Sequence, residues 1–152
     1  MGKWIQGWHK IIGDRNCGFR SIAVGLGRLE EDWDEIRKAM VRTVEEDWEA
    51  LSKVMMSSVT QQQMIDRLNT RNTVPTVPIN KWFCCPDMGI INSTTCNVVL
   101  VVLAAKGGSL TYLPIRAASD HVQGEQLPII CLGHIEAEYH WVSISIPNQF
   151  LA

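Results

Sequence analysis

Ile36, Met40, Val44, Trp48, Leu51 and Met55 recur at intervals of three or four residues, which places them on one face of a long helix. Glu, Asp, Arg and Lys fill the opposite face, so the apolar stripe has to be buried against the rest of the chain. Asp32 and Glu35 read as a capping-box-like start, because a side-chain oxygen at the first position satisfies an N–H two or three residues on. Upstream, Phe19, Ile22, Ala23 and Leu26 follow Cys17 at helical spacing, and Gly25 and Gly27 punctuate the end of that element. A shorter helix is expected over Thr60 to Leu68. Pro86 suits the first turn of another, where its missing N–H is not needed. Strands follow. Val98 to Ala104 and Leu110 to Ile115 flank Lys106-Gly107-Gly108 as a hairpin, and Ile129 to Gly133 with His140 to Ile146 form a second pair. The stretch up to Ile12 reads as an edge strand or a lead-in loop, and residues 69–78 as an extended linker. Helices first and strands later favour α+β over an alternating parallel-sheet fold.

Composition narrows the function classes. A chain of 152 residues suits one domain, 1–152, with a core large enough to need no staples. The formal net charge of -2 gives no sign of a surface seeking nucleic acid. Val98 to Ala105, the longest apolar run, is too short to span a bilayer, and Met1 to Lys10 lacks the continuous apolar core of a signal peptide. Of the five cysteines, Cys84 and Cys85 are adjacent and no C-x-x-C pair occurs. That speaks against a disulfide framework or a zinc ribbon and for reduced thiols in an intracellular setting, cytoplasm or nucleus.

Three features converge on nucleophilic catalysis. Cys17 opens a helix, where unpaired N–H groups and the helix dipole favour a thiolate and supply donors for an oxyanion. A tight polar turn, Gly13-Asp14-Arg15-Asn16, stands directly before it. His140 opens the last strand and shares a face with Val142, Ile144 and Ile146, at the mouth of a core-facing strand. Cys84, Cys85, Cys96 and Cys131 lie in apolar surroundings and read as core. His9, His121 and His134 have no apolar face to orient them and read as surface residues.

The stretch Gly13-Asp14-Arg15-Asn16-Cys17-Gly18-Phe19-Arg20-Ser21-Ile22-Ala23 resembles the nucleophile motif of the OTU (ovarian-tumour) deubiquitinases. Tyr139-His140-Trp141-Val142-Ser143-Ile144 is similar to that family's closing motif. Trp82, followed by a short helix and then Asn97-Val98-Val99, resembles the middle of the domain in order and spacing. The Cys-Gly-Phe-Arg and Lys81-Trp82 flavour is similar to OTU domains found near mobile elements. The resemblance implies a papain-like α+β fold with N-terminal helices packed on a C-terminal, mixed, largely antiparallel sheet. It implies a thiol isopeptidase acting on ubiquitin or a ubiquitin-like modifier, with Cys17 as nucleophile, His140 as base, and Asp14, Arg15 and Asn16 as the oxyanion loop. No metal or organic cofactor is implied, nor a nucleic-acid or membrane partner, and a monomer is the expected state.

Two positions depart from the pattern. Arg15 stands where the family usually has glycine, and a Cβ there makes some backbone conformations costly. Val142 stands where many members place Asp or Asn to orient the imidazole. Asp14 ranks first as a substitute third member, then Glu138, with Asn148 and Asp120 behind. Both departures point to reduced turnover. They also favour one alternative, a weakly active or inactive ubiquitin-binding module; a separate alternative, a protease domain processing a larger precursor, stays open beside it.

Overall fold

The structure, a computed structural model, describes residues 7–55, 57–70, 78–104, 108–115, 127–135 and 140–145. Among these described residues, four helices stand beside a five-stranded sheet. In chain order the elements are β1 (Gly7–His9), α1 (Cys17–Gly25), α2 (Trp33–Val54), α3 (Gln61–Leu68), α4 (Asp87–Cys96), β2 (Val99–Ala104), β3 (Gly108–Tyr112), β4 (Ile129–Ile135) and β5 (His140–Ser145). Short 3-10 turns at Glu30–Asp32 and Ile79–Lys81 precede α2 and the α4 region.

The long amphipathic helix forms as its periodicity requires. Ile36, Met40, Val44 and Leu51 are buried, and they meet Phe19, Ile22 and Ala23 of α1 and Met88 and Ile91 of α4 in one core cluster. Each such side chain contributes about 1.5–3 kcal/mol when fully buried. The start of α2 differs from the expected capping box. Asp32 makes no side-chain cap, and its carboxylate pairs with Arg28 at 3.3 Å instead. The 3-10 turn ending at Asp32 feeds straight into the helix, and this leaves the Asp32 backbone near helical angles rather than the extended ones a cap prefers. The capping box appears on α3, where Thr60 and Gln63 bond each other's backbone N–H groups. Gln61 also donates to the carbonyl of Val44 at 3.1 Å. In an unbroken helix that carbonyl serves the Trp48 N–H, and α2 departs from helical angles beside it, at Asp47.

The sheet order is β1-β5-β4-β2-β3. β2 and β4 run parallel, with Leu100 opposite Ile130 and Val102 opposite Leu132, and every other pairing is antiparallel. The sheet is therefore mixed and largely antiparallel. The two expected strand pairs are both present, joined through the parallel β2–β4 contact, and the N-terminal stretch supplies an edge strand on β5. The linker at 71–77 and the hairpin tip at 105–107 lie outside the described residues.

α1 lies close against the sheet and against the segment before α4 because of two glycines seven positions apart. A Cβ on Gly25 would meet Ile130 Cγ2 of β4 at 2.5 Å, and one on Gly18 would meet Phe83 Cβ at 2.3 Å. Glycine at both positions lets the helix carrying Cys17 approach β4, β5 and the segment before α4 at backbone distance. That approach sets the site.

Candidate active site

Cys17 is the first residue of α1, and it is 6% exposed. Its Sγ accepts a hydrogen bond from the backbone N–H of Trp141 at 3.4 Å, across 124 positions of sequence. The donor belongs to the residue after His140, so the fold brings the start of α1 against the head of β5. For His140 the description covers the backbone, which opens β5 opposite Ile135. Its imidazole lies outside the described residues, as do Asp120, Glu138 and Asn148.

Burial pushes the Cys17 thiol up, and the nearby Asp14 charge adds to this, while the N–H groups of Trp141 and Gly18 pull it down. The net direction is upward. The expectation of a depressed thiol from helix position alone is therefore corrected: loss of water around a buried sulfur outweighs the donors at the helix start. A thiolate here needs a cation beside it.

The loop before Cys17 is held from two sides. Asp14 accepts from Arg20 Nε at 3.0 Å and Nη2 at 2.5 Å, and from the Asn16 N–H at 3.1 Å. Burial raises the Asp14 pKa, but the Arg20 guanidinium and the Asn16 N–H outweigh it and hold the carboxyl below its usual range. Arg15 takes φ 73°, the left-handed region that costs a residue with a Cβ. The glycine-like conformation is thus kept with arginine in place. The exposed guanidinium lies 5.6 Å from the centre of the Trp82 ring, within cation–π reach. Asn16 occupies the N-cap position of α1 yet makes no cap. Its Oδ1 instead accepts from Arg37 Nε at 3.1 Å and Nη2 at 3.0 Å.

A cleft of about 390 Å³ opens beside Cys17, walled by Trp82, Phe83, Cys84 and Cys85 on one side and by Val102, His134 and Trp141 on the other. Phe83 packs edge-on against both Phe19 and Trp141, with ring centres 5.4 and 5.2 Å apart. These contacts tie the cleft wall to α1 and β5 together. Trp141 is buried on the α1 side, and Val142 is buried on the other side of β5, so the expected one-sided strand is covered on both faces. Val142 packs against Gly133 as a core residue and has nothing to offer an imidazole.

Two readings of single residues change. Cys84 is exposed, on the cleft wall rather than in the core, whereas Cys85 is half-buried and packs against the core as expected while also lining the cleft. His134 is half-buried and stacks on Trp141 with ring centres 4.5 Å apart, lining the same cleft. The signal for His134 was its place one strand from His140, which becomes visible only once β4 and β5 are paired. Cys131 is buried, Cys96 is half-buried, and His9 is exposed beside Glu30, as expected. Among the described residues, no three His, Cys, Asp or Glu side chains converge on a point where a metal could sit.

No family model matches the sequence, and no curated protein does. Solved structures do match. The viral OTU domain protease of Qalyub virus superposes with a TM-score of 0.66 at 15% identity, covering 93% of this chain and 84% of that one. The OTUD1 OTU domain gives 0.64 at 12% identity, over 91% and 84%. The Hazara virus OTU, solved bound to ubiquitin, gives 0.56 at 13% identity, over 93% and 81%. These likenesses, with the helix-borne cysteine held against the head of the last strand, identify the architecture: the chain has the papain-like α+β fold of the OTU domains.

Proposed function

We propose that this chain, as one OTU-like domain over residues 1–152, is a thiol isopeptidase that removes ubiquitin or a ubiquitin-like modifier from lysine. The observation that carries the reading is the hydrogen bond from Trp141 N–H to Cys17 Sγ. It pins a helix-start sulfur beside the backbone of the one histidine that opens the closing strand. The ubiquitin bound to the Hazara virus relative supports the choice of partner.

In this reading, the His140 imidazolium supplies the cation that a buried Cys17 thiolate needs. The thiolate attacks the carbonyl carbon at the modifier's C-terminus, and backbone N–H groups around Arg15, Asn16 and Cys17 receive the oxyanion. The C–N bond breaks as His140 gives its proton to the departing lysine amine. His140 then takes a proton from water, which cleaves the thioester and frees the modifier and the thiol. Asp14 has its described bonds to Arg20 and Asn16, and we assign it first to shaping the loop. Its Oδ2 keeps acceptor capacity and stays the first candidate to orient His140, ahead of Glu138 and Asn148.

The upward push on the Cys17 thiol and the apolar Val142 favour one second reading, an OTU-fold module that binds ubiquitin with little turnover. Steady-state cleavage of a ubiquitin–lysine isopeptide conjugate separates the two. The isopeptidase reading expects turnover that disappears in Cys17→Ala and falls at least about a hundredfold in His140→Ala, as loss of an acid–base group does. Ubiquitin binding with equal, background-level cleavage in all three proteins would establish the binding module instead.

A further inference from the structure

Asp14 and Asn16 spend their side chains inside the protein, on Arg20 and on Arg37. Arg15, between them, does not. It is exposed, and among the described residues no carboxylate pairs with its guanidinium. Its contact is the Trp82 ring, whose centre lies 5.6 Å away. The Arg15 backbone holds φ 73°, which glycine takes freely and a residue with a Cβ only at a cost. The backbone gives no reason for arginine at this position. The surroundings of the side chain do.

Arg15 and Trp82 stand together on the wall of the cleft that holds Cys17. Among the described residues lining that cleft there is no aspartate or glutamate, and Phe83, Val102, Leu110 and Trp141 make much of it apolar. The neighbouring acid, Asp14, already receives Arg20 on both of its oxygens. A guanidinium resting on an indole ring keeps its in-plane N–H groups for hydrogen bonds, and its planar fork matches one carboxylate. Apolar walls strengthen such a pairing over one on an open surface. The His140 imidazolium of the proposed reacting pair adds a second positive charge. The cleft is therefore charged for an anion that the described protein does not supply.

We infer that Arg15 is a specificity residue: held on Trp82 beside Cys17, it receives an Asp or Glu side chain of the substrate, so the site selects conjugates with an acidic residue flanking the scissile isopeptide bond. The inference deepens the proposed isopeptidase reading and rests on it for the bond that is cleaved. The carboxylate comes either from the peptide around the acceptor lysine or from the modifier's tail. A basic residue in the same place meets Arg15 as a like charge and is disfavoured. The Arg15 side chain chooses the substrate and takes no part in breaking the bond.

The test uses the full chain as wild type, Arg15→Gly, Arg15→Lys and Arg15→Glu. Arg15→Gly puts glycine at a left-handed position, so the fold tolerates it. One substrate series joins ubiquitin to the lysine of short peptides whose residues beside that lysine are glutamate, alanine or lysine. The other keeps the alanine peptide and places glutamate, alanine or lysine before the C-terminal glycines of ubiquitin. Each kcat/KM is divided by the same protein's value on the all-alanine conjugate, so a change in loop shape cancels. Wild type should favour glutamate over lysine by about tenfold in one series, because attraction to one charge and repulsion of the other add. The ratio should fall toward one in Arg15→Gly, survive in part in Arg15→Lys, which keeps the charge without the fork, and invert in Arg15→Glu. The series that shows the preference identifies which side of the bond supplies the carboxylate. No preference in either series, or a preference that Arg15→Gly leaves intact, overturns the inference. Affinities of Cys17→Ala and Cys17→Ala/Arg15→Gly for the same conjugates, from fluorescence anisotropy, separate it from the isopeptidase reading. A glutamate preference lost in the double variant, beside a wild type that cleaves nothing, upholds the role of Arg15 and sinks the isopeptidase reading, whereas equal affinities beside such a wild type sink both.

Discussion

Replacing Gly18 with alanine should damage fold and site together. A Cβ at this position lands 2.3 Å from Phe83 Cβ and 2.8 Å from Phe83 Cγ, well inside any contact real Cβ atoms make. The Phe83 ring cannot swing away, because Phe19 and Trp141 hold it edge-on from two sides. The nearer clash is with Phe83 Cβ, which any rotamer keeps, so the backbone of α1 or of the Trp82–Cys85 wall has to move. Overpacking of this kind costs about 1–3 kcal/mol, and a clash relieved only by backbone movement belongs at the upper end. For a chain this size, about 3 kcal/mol lowers Tm by roughly 6–12 °C. The same movement pulls Trp141 N–H off Cys17 Sγ, so modification of Cys17 by a ubiquitin electrophile should slow at least about tenfold, as small displacements at reacting atoms do. Thermal unfolding followed by circular dichroism gives the first number and a time course of adduct formation the second. A Gly18→Ala protein with unchanged Tm and unchanged labelling would refute the close packing of α1 on Phe83, and with it the argument for how the sulfur is placed.

Two more predictions concern protonation. Asp14 is held below its usual pKa, so it contributes stability above the pKa it has when unfolded, and that stability is lost as pH falls through the lower folded value. Asp14→Asn should therefore be less stable than wild type at neutral pH, with the difference shrinking below about pH 4; urea midpoints at pH 7 and pH 3 check it, and a gap that widens in acid would contradict it. Burial pushes the Cys17 thiol up, so in His140→Ala its alkylation by iodoacetamide should titrate above an ordinary cysteine, while in wild type the inflection should fall well below that of the variant. Superimposable pH–rate profiles for the two proteins would remove His140 from the site.

Much of this architecture is legible in the residues because it rests on local periodicity. The stripe from Ile36 to Leu51 needed only the helical repeat to be placed, and Thr60 to Leu68 and the two strand pairs needed little more. The nucleophile loop was legible because Asp14, Asn16 and Cys17 are neighbours in sequence. What escaped depends on partners distant in the chain. The parallel β2–β4 pairing joins residues thirty positions apart and leaves no local mark. His134 enters the cleft only through that sheet. Arg37 carried a signal that is easy to pass over: with Trp33, Met40 and Val44 it lies at helical spacing on the apolar stripe, a charge where a hydrophobe belongs. Its acceptors at Asn16, Arg67, Leu68 and Lys81 come from three separate segments, and no spacing rule brings those together. The Cys17 thiol shows the converse: helix position argued for a low pKa, and burial, which sequence does not give, reversed it.

The most direct test of the central claim is intact-mass detection of a covalent adduct between this chain and ubiquitin bearing a thiol-reactive C-terminal group. The account predicts one adduct per chain in wild type, none in Cys17→Ala, and slow formation in His140→Ala. An adduct that persists in Cys17→Ala, or that forms equally fast without His140, would contradict the assignment of Cys17 and His140 as the reacting pair.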